Sequence, residues 1–298
     1  MTTAARRPEL ARRFFDRFEP IHAVTYFAPE SRSAMDQLGC RGFWEGYFAG
    51  RAAPLETAAA PVVTALFYNF SAARVAKSLT RAWATTSPAA ALRARSDGAA
   101  AALTRCGVAD DDRLEVAAAL AAKAAATAPL DGRALFAANA ALPWPDDPVR
   151  RLWHAATLLR EHRGDGHVAA LVAAGVTGRE SNVLQAAGGT IPADYVKRAR
   201  DYDETEWQSC TARLAARGLL TDDGALTEAG AQLRRDIETV TDTVALGALA
   251  GLADDEVGAL FAALTPLTRR VVAAGDVPDQ TPMGLRRDEL DDDSAHLG

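Results

Sequence analysis

The chain has 298 residues, 49% of them hydrophobic, enough to bury a sizeable core, and at about 100–200 residues per domain that length suggests two domains. Its net charge of −6 gives no overall attraction to a phosphate backbone or an anionic lipid surface, so a nucleic-acid role would need a local basic patch. No run of about 18 apolar residues occurs, which excludes an ordinary membrane span. The opening residues are broken by Arg and Glu and lack the apolar stretch of a signal peptide, so a cytoplasmic protein is expected. Cys40, Cys106 and Cys210 lie far apart, without metal-type spacing, and read as buried thiols in a reducing compartment.

Alanine runs favour helix, because Ala loses no side-chain entropy on ordering, and β-branched alternation is nearly absent. The expected fold is all-α with one short β-hairpin. Pro8 opens a helix carrying Leu10, Phe14, Phe18, Ile21 and Phe27 at helical spacing, with Pro20 kinking or dividing it. His22, Tyr26 and Glu30 recur at intervals of four and share a face if the helix reaches Glu30, which Pro29 opposes. The block GCRGFWEGYFAGRAAPL, 39–55, sets Trp44, Tyr47, Phe48 and Arg51 on one helical stripe. Such a stripe is commonly core, yet Arg41 and Arg51 at its edges suit a clamp on an anionic or planar ligand.

Ser71 and Ser87-Pro88 read as helix starts, and Asp110, Asp111 and Asp112 open an Ala-rich helix over 110–128. The segment ALPWPDDP, 141–148, with its three prolines, is the best domain boundary. It divides an N-terminal helical domain, 1–145, from a C-terminal winged-helix-like domain, 146–275, followed by a disordered acidic tail, 276–298.

The stretch RRLWHAATLLREHRGDGHVAAL, 150–171, holds three of the five histidines. It predicts a helix from Asp147-Pro148 to about Arg163, ended by Gly164, and a second over 166–175 capped by Asp165. Several chemistries are open to it. The groups can be ordinary core and surface residues, or His154, Glu161 and His167 can join His22 around a metal. Arg160 and Arg163 can hold an anion at the start of the second helix. His154 or His167, oriented by Asp165 or Glu161, can do acid–base work in a cleft shared with His22 and Tyr26. No HExxH, P-loop, GxGxxG, nucleophile elbow or CxxCH accompanies these residues, so metal and cofactor stay unassigned. GGTIP at 188–192 is a turn, too short for a dinucleotide site.

Thr177 caps a helix over 178–187, another spans 202–217, and LLTDDGALT, 219–227, has the form of a hairpin centred on Asp223-Gly224. Thr227 caps a long helix to about Leu249, and Asp254 starts the next. That order is the order of a winged helix-turn-helix. The residues ARLAARGLLTDDGALTEAG resemble the recognition-helix end, wing and following helix of MarR-like proteins. HAVTYFAPE, GFWEGYFAGRAAPL, FYNF and LREHRGDGHVAAL together resemble a largely uncharacterised actinobacterial family of SalK-like or MarR-like proteins, over most of residues 10–270. The resemblance implies a winged helix-turn-helix fold and carries no settled activity.

Between Asp201 and Ala231 seven acids accompany two bases, Arg213 and Arg217, a balance that repels phosphate; Lys197, Arg198 and Arg200 form a basic turn just upstream. DNA is therefore a disfavoured partner. The leading expectation is a small-molecule site between the domains, lined by His22, Tyr26, Trp44, Tyr47, Arg51, Arg160 and Arg163, with His154, Glu161, Asp165 and His167 as acid–base groups for non-redox chemistry on an organic metabolite. The alternatives are a MarR-like ligand-responsive DNA-binding regulator and a purely structural module. The helices over 227–249 and 254–274 offer a surface for a homodimer or a cover for the N-terminal domain.

Overall fold

The computed structural model describes residues 6–189, 191–278 and 283–297, and within them every regular element is helical. The first helix, α1 (Pro8–Phe27), continues through Pro20 rather than dividing there. Ala28, in an extended conformation, separates it from α2 (Pro29–Gln37), so Glu30 leaves the face of His22 and Tyr26 and pairs with Arg105 instead. Next come α3 (Gly42–Ala52), α4 (Ala60–Phe67), α5 (Ala72–Thr85) and α6 (Pro88–Arg105). Ser71 and Ser87 start α5 and α6 as N-caps, their hydroxyls accepting the Arg74 and Ala90 amides at 3.2 Å. The Ala-rich helix α7 (Leu114–Thr127) begins later than 110, because Asp111 accepts the Arg113 amide in the preceding turn.

After α8 (Ala134–Ala140) comes α9 (Pro148–Ala173), 26 residues long and packed against α1, α6, α7 and α8. Asp147 caps it as expected, but it runs unbroken through Gly164, Asp165 and Gly166, so there is no second helix start at 166. Two interior glycines cost roughly 1 kcal/mol each relative to Ala; tertiary contacts offset this. Asp165 does not cap a helix: it accepts the Phe136 amide of α8 at 2.9 Å. Gly166 makes room for Arg133 and Val244, which a Cβ would approach to 2.7 and 2.9 Å.

The chain continues through α10 (Gly178–Ala187), α11 (Ala193–Arg200), α12 (Glu204–Ala216), α13 (Glu228–Ala245) and α14 (Asp254–Ala273). Thr177 forms a full capping box with Glu180 on α10, and Thr227 caps α13. The basic turn expected at 197–200 is the end of α11, and α12 starts only at Glu204. The expected β-hairpin is overturned. Among the described residues there is no strand, only one isolated antiparallel bridge between Leu220 and Leu226. Gly224, at φ 82°, makes the turn, which Thr221 and Ala225 close with a backbone hydrogen bond of 2.9 Å; Thr227 meets the Leu219 carbonyl at 3.2 Å, and Gly218 at φ 71° and the Thr227 cap end the pairing there. The fold is all-α without the hairpin that a winged helix needs.

One large apolar core joins Phe14, Phe18 and Ile21 of α1 to Leu152, Leu158 and Leu159 of α9 and Leu260, Phe261 and Leu264 of α14. It therefore takes residues from both sides of the 141–148 segment. A smaller core of Val183, Leu184, Cys210, Leu214, Leu219 and Leu220 holds α10 and α12 together. At the C-terminal end Leu290 is buried and Arg286 reaches Asp16 at 3.0 Å. Residues 279–282 and 298 of the expected tail, Thr190 of GGTIP, and residues 1–5 lie outside the described residues. No described helix is long and apolar enough to cross a membrane.

Candidate ligand-binding cleft

Between α1, α3, residues 67–70 and α9 on one side and α10, α11 and α13 on the other lies a cleft of about 1180 Å³. Among the described residues, ten of the chain's twenty aromatic side chains line it, together with nine arginines and four carboxylates, in a protein of net charge −6. Aromatic surface and positive charge have both been gathered at one place.

The stripe on α3 builds one wall. Trp44 and Tyr47 face the cleft while Phe48 turns inward and is fully buried. Tyr47 lies 4.9 Å from the Tyr26 ring and 5.5 Å from the Phe70 ring, and Phe43 stacks on it at 5.9 Å. Tyr26 is held by His22, whose Nε2 meets its hydroxyl at 3.0 Å while Nδ1 meets Thr157 at 3.0 Å. Burial drives His22 well below its ordinary value, so the ring is neutral at physiological pH.

Glu161 is the ionic centre behind this wall. Arg51 donates to both its oxygens at 3.0 and 3.1 Å, and Arg160 donates at 2.8 Å. Burial pushes this carboxyl up, but the two guanidiniums more than offset that and hold it down at about 2. Arg51 also donates to the Tyr47 hydroxyl at 3.1 Å and lies 4.2 Å above Phe67. Arg163 is engaged by Asp242 at 2.6 Å and Glu238 at 3.2 Å, and His167 meets Thr241 at 3.0 Å.

Of the residues singled out from sequence, Tyr26, Trp44, Tyr47, Arg51, Arg160, Arg163 and His167 line the cleft, with Glu161 and His22 directly behind them. His154 and Asp165 are not among the lining residues. His154 is buried with its ring 4.8 Å from Trp144, and burial together with nearby Arg95 pushes it down to about 4. Asp165 is pushed up to about 6 by burial behind α8. Among the described residues no group of three or more His, Cys, Asp or Glu side chains is placed to hold a metal.

Glu19, Arg200 and Arg234 are among the lining residues that the sequence did not assign to the site. Glu19 is 1% exposed, and neither carboxylate oxygen has a hydrogen-bond partner among the described residues; the nearest cation is Arg160, at 3.8 Å. Burial raises its carboxyl to about 7, against the opposing pull of Arg160. The signal was present: Glu19 lies three residues before His22 and seven before Tyr26, on one face of α1. Arg200 lies 4.3 Å from the Phe70 ring with its Nε buried and unpartnered, and it meets no carboxylate among the described residues. Arg234 also lines the cleft, without an ion pair among the described residues; a Cβ on Gly188 would come within 1.4 Å of its guanidinium.

The fold and cleft define an all-helical protein in which α11 and α12, joined by residues 201–203, stand beside an arginine-rich aromatic cavity. The chain belongs to a helix-turn-helix family, whose model matches residues 11–278. No curated protein and no solved structure matches it.

Proposed function

We propose that the protein is a ligand-responsive DNA-binding regulator in which the cleft is the effector site. The observation that carries this reading is the composition of the cleft's outer wall. Ser181 and Leu184 of α10 and Tyr195 and Arg200 of α11 line the same cavity as Tyr26, Trp44 and Tyr47. The link at 201–203 has the length of the turn in a helix-turn-helix pair. A ligand in the cleft therefore bears on the helices that would meet DNA, and it shifts DNA affinity by as much as its own affinity differs between two positions of α11.

Charge sets a demand on this reading. Arg179 is paired with Glu206 at 2.6 Å, Lys197 with Glu204 at 2.8 Å and Arg213 with Glu180 at 2.7 Å, while Arg74 holds Asp201. Phosphate contacts fall to exposed Arg198 and Arg217 unless these pairs open, so binding is expected to be weak and, with few phosphates neutralised, only shallowly salt-dependent. The test is selection from random duplexes at about 50 mM salt, followed by gel retention. Enrichment of a shared sequence supports a regulator; a pool that stays random rejects it. A two-fold symmetric sequence is expected if two copies pair through α13, which leaves Val240 and Val244 exposed.

Non-redox acid–base chemistry on an organic metabolite is the second reading, and Glu19 favours it. A carboxyl raised to about 7 at a cleft wall is suited to exchanging a proton near neutral pH. Turnover of a cleft-bound compound, lost in Glu19→Gln, together with a DNA pool that stays random, would put this reading in place of the regulator.

A further inference from the structure

We infer that the cleft takes a hydroxylated polycyclic aromatic acid, its carboxylate received by Arg200 and its hydroxyl donating to Glu19, with the ring system between the aromatic walls. This rests on the cleft being a ligand site and is independent of whether the protein binds DNA.

The anion is assigned by comparing the cleft's arginines. Arg51 and Arg160 share Glu161, and Arg163 holds Glu238 and Asp242, so their charge is already matched within the chain. Arg200 is different: its guanidinium lies over Phe70, 4.3 Å from the ring centre, without a carboxylate among the described residues, and its Nε is buried and unpartnered. A guanidinium placed over an aromatic face spends no N–H group on that contact, which leaves its N–H groups for a planar carboxylate. Arg234, also without an ion pair among the described residues, adds a second positive charge to the same cavity.

Glu19 assigns the donor. Both its oxygens are buried without a hydrogen-bond partner among the described residues, an arrangement a folded chain rarely tolerates without use. An ammonium group would satisfy a carboxylate, but here it would also meet Arg160, 3.8 Å from Glu19, with Arg163 and Arg51 contributing to the same local potential. A neutral hydroxyl donates without that repulsion. The body of the ligand follows from the walls: Tyr47, Phe43 and Trp44 are half-buried aromatic rings lining the cavity, and about 1180 Å³ exceeds what a single ring fills.

The test uses the full chain without DNA and follows the fluorescence of three probes: 6-hydroxy-2-naphthoate, 6-methoxy-2-naphthoate and 2-naphthol. The hydroxy acid is expected to bind at least about tenfold tighter than either of the others, the size of one hydrogen bond to a charged or strongly polar group. Arg200→Gln should weaken both acids about tenfold or more and leave naphthol unchanged. Glu19→Leu should erase the preference for hydroxy over methoxy acid while leaving the preference for acid over naphthol. The wild-type comparison needs no variant to fold. Absence of saturable binding by the hydroxy acid, equal affinity for hydroxy and methoxy acids, or indifference to Arg200→Gln each overturns the assignment. A random pool in the DNA selection bears only on the regulator reading, so the two failures are told apart.

Discussion

Glu161 of α9 and Arg51 of α3 are joined by two hydrogen bonds of 3.0 and 3.1 Å, and Arg160 reaches the same carboxylate at 2.8 Å. With Glu161 only 2% exposed, removing its charge strands two guanidiniums beside the cleft. Glu161→Gln is expected to cost about 3–5 kcal/mol, read as a lower urea midpoint at pH 7. Arg51→Met should cost less, because Arg160 remains to neutralise the carboxylate. Glu161 is held at about 2, below its ordinary 4.5, so its contribution is complete above 4.5 and is lost as pH falls from there toward 2. An unchanged urea midpoint in Glu161→Gln would mean that this pair does not secure α3 to α9.

Glu19 has the opposite sign. Its folded carboxyl is raised to about 7 from 4.5, so the folded state holds a proton that the unfolded chain releases between those values. Its charge opposes folding fully above pH 7, and the penalty disappears as pH falls toward 4.5. Glu19→Gln is therefore expected to stabilise the protein by about 2–3 kcal/mol at pH 8 and by almost nothing at pH 4.5. Equal melting temperatures for variant and wild type at pH 8 would remove the cost attributed to this carboxyl.

The contrast between these two glutamates marks what could be read from sequence. Caps are local, and Ser71, Ser87, Asp147, Thr177 and Thr227 each act where their neighbours along the chain place them. Gly164-Asp165-Gly166 looked equally local and was not: a helix stop competes with burial, and here the Phe136 amide and the Arg133 guanidinium decide the matter. The aromatic stripe on α3 was legible because helical period places Trp44, Tyr47 and Arg51 together, whichever partner they find. His154 and Glu161, also one face by period, part company because α9 is surrounded on several sides and Trp144 takes the histidine. Glu19 stood in view but reads as a solvated charge until α1 is known to be buried at that position.

His154 and His162 should make the protein acid-sensitive. Both are buried, and burial lowers them to about 4 and about 3 from 6.5, so below 6.5 the unfolded chain takes up protons that the folded state refuses. Their contribution is complete above pH 6.5 and falls progressively below it, by about 2 kcal/mol for each histidine at pH 5. His162 packs edge-on against Phe136 with neither ring nitrogen bonded among the described residues, so His162→Phe preserves ring contact and removes the titration. The drop in melting temperature between pH 7.5 and 5 should be smaller in that variant; an identical drop would assign the acid lability to other groups.

Gly178 is the hinge of contact between α10 and the cleft's first wall. A Cβ there would stand 1.9 Å from the Tyr68 carbonyl oxygen, a backbone atom that cannot swing aside. The same joint is tied by Asn182, which donates to the Asn69 carbonyl at 2.9 Å, and by the Tyr68 hydroxyl, which donates to the Val176 carbonyl at 2.6 Å. Gly178→Ala must push α10 away from residues 67–70 and is expected to cost about 1–3 kcal/mol. Because α10 and α12 share a small core of their own, the loss should appear locally, as faster amide exchange across α10 to α12 while α9 stays protected. Gly218 supplies the control: it has φ 71° but nothing within 4 Å of a built Cβ, so Gly218→Ala carries backbone strain without the clash. If the two variants show the same exchange pattern, the 67–70 segment does not position α10 to α12; if only Gly178→Ala loosens α10 to α12, that contact is what holds them against the cleft's first wall.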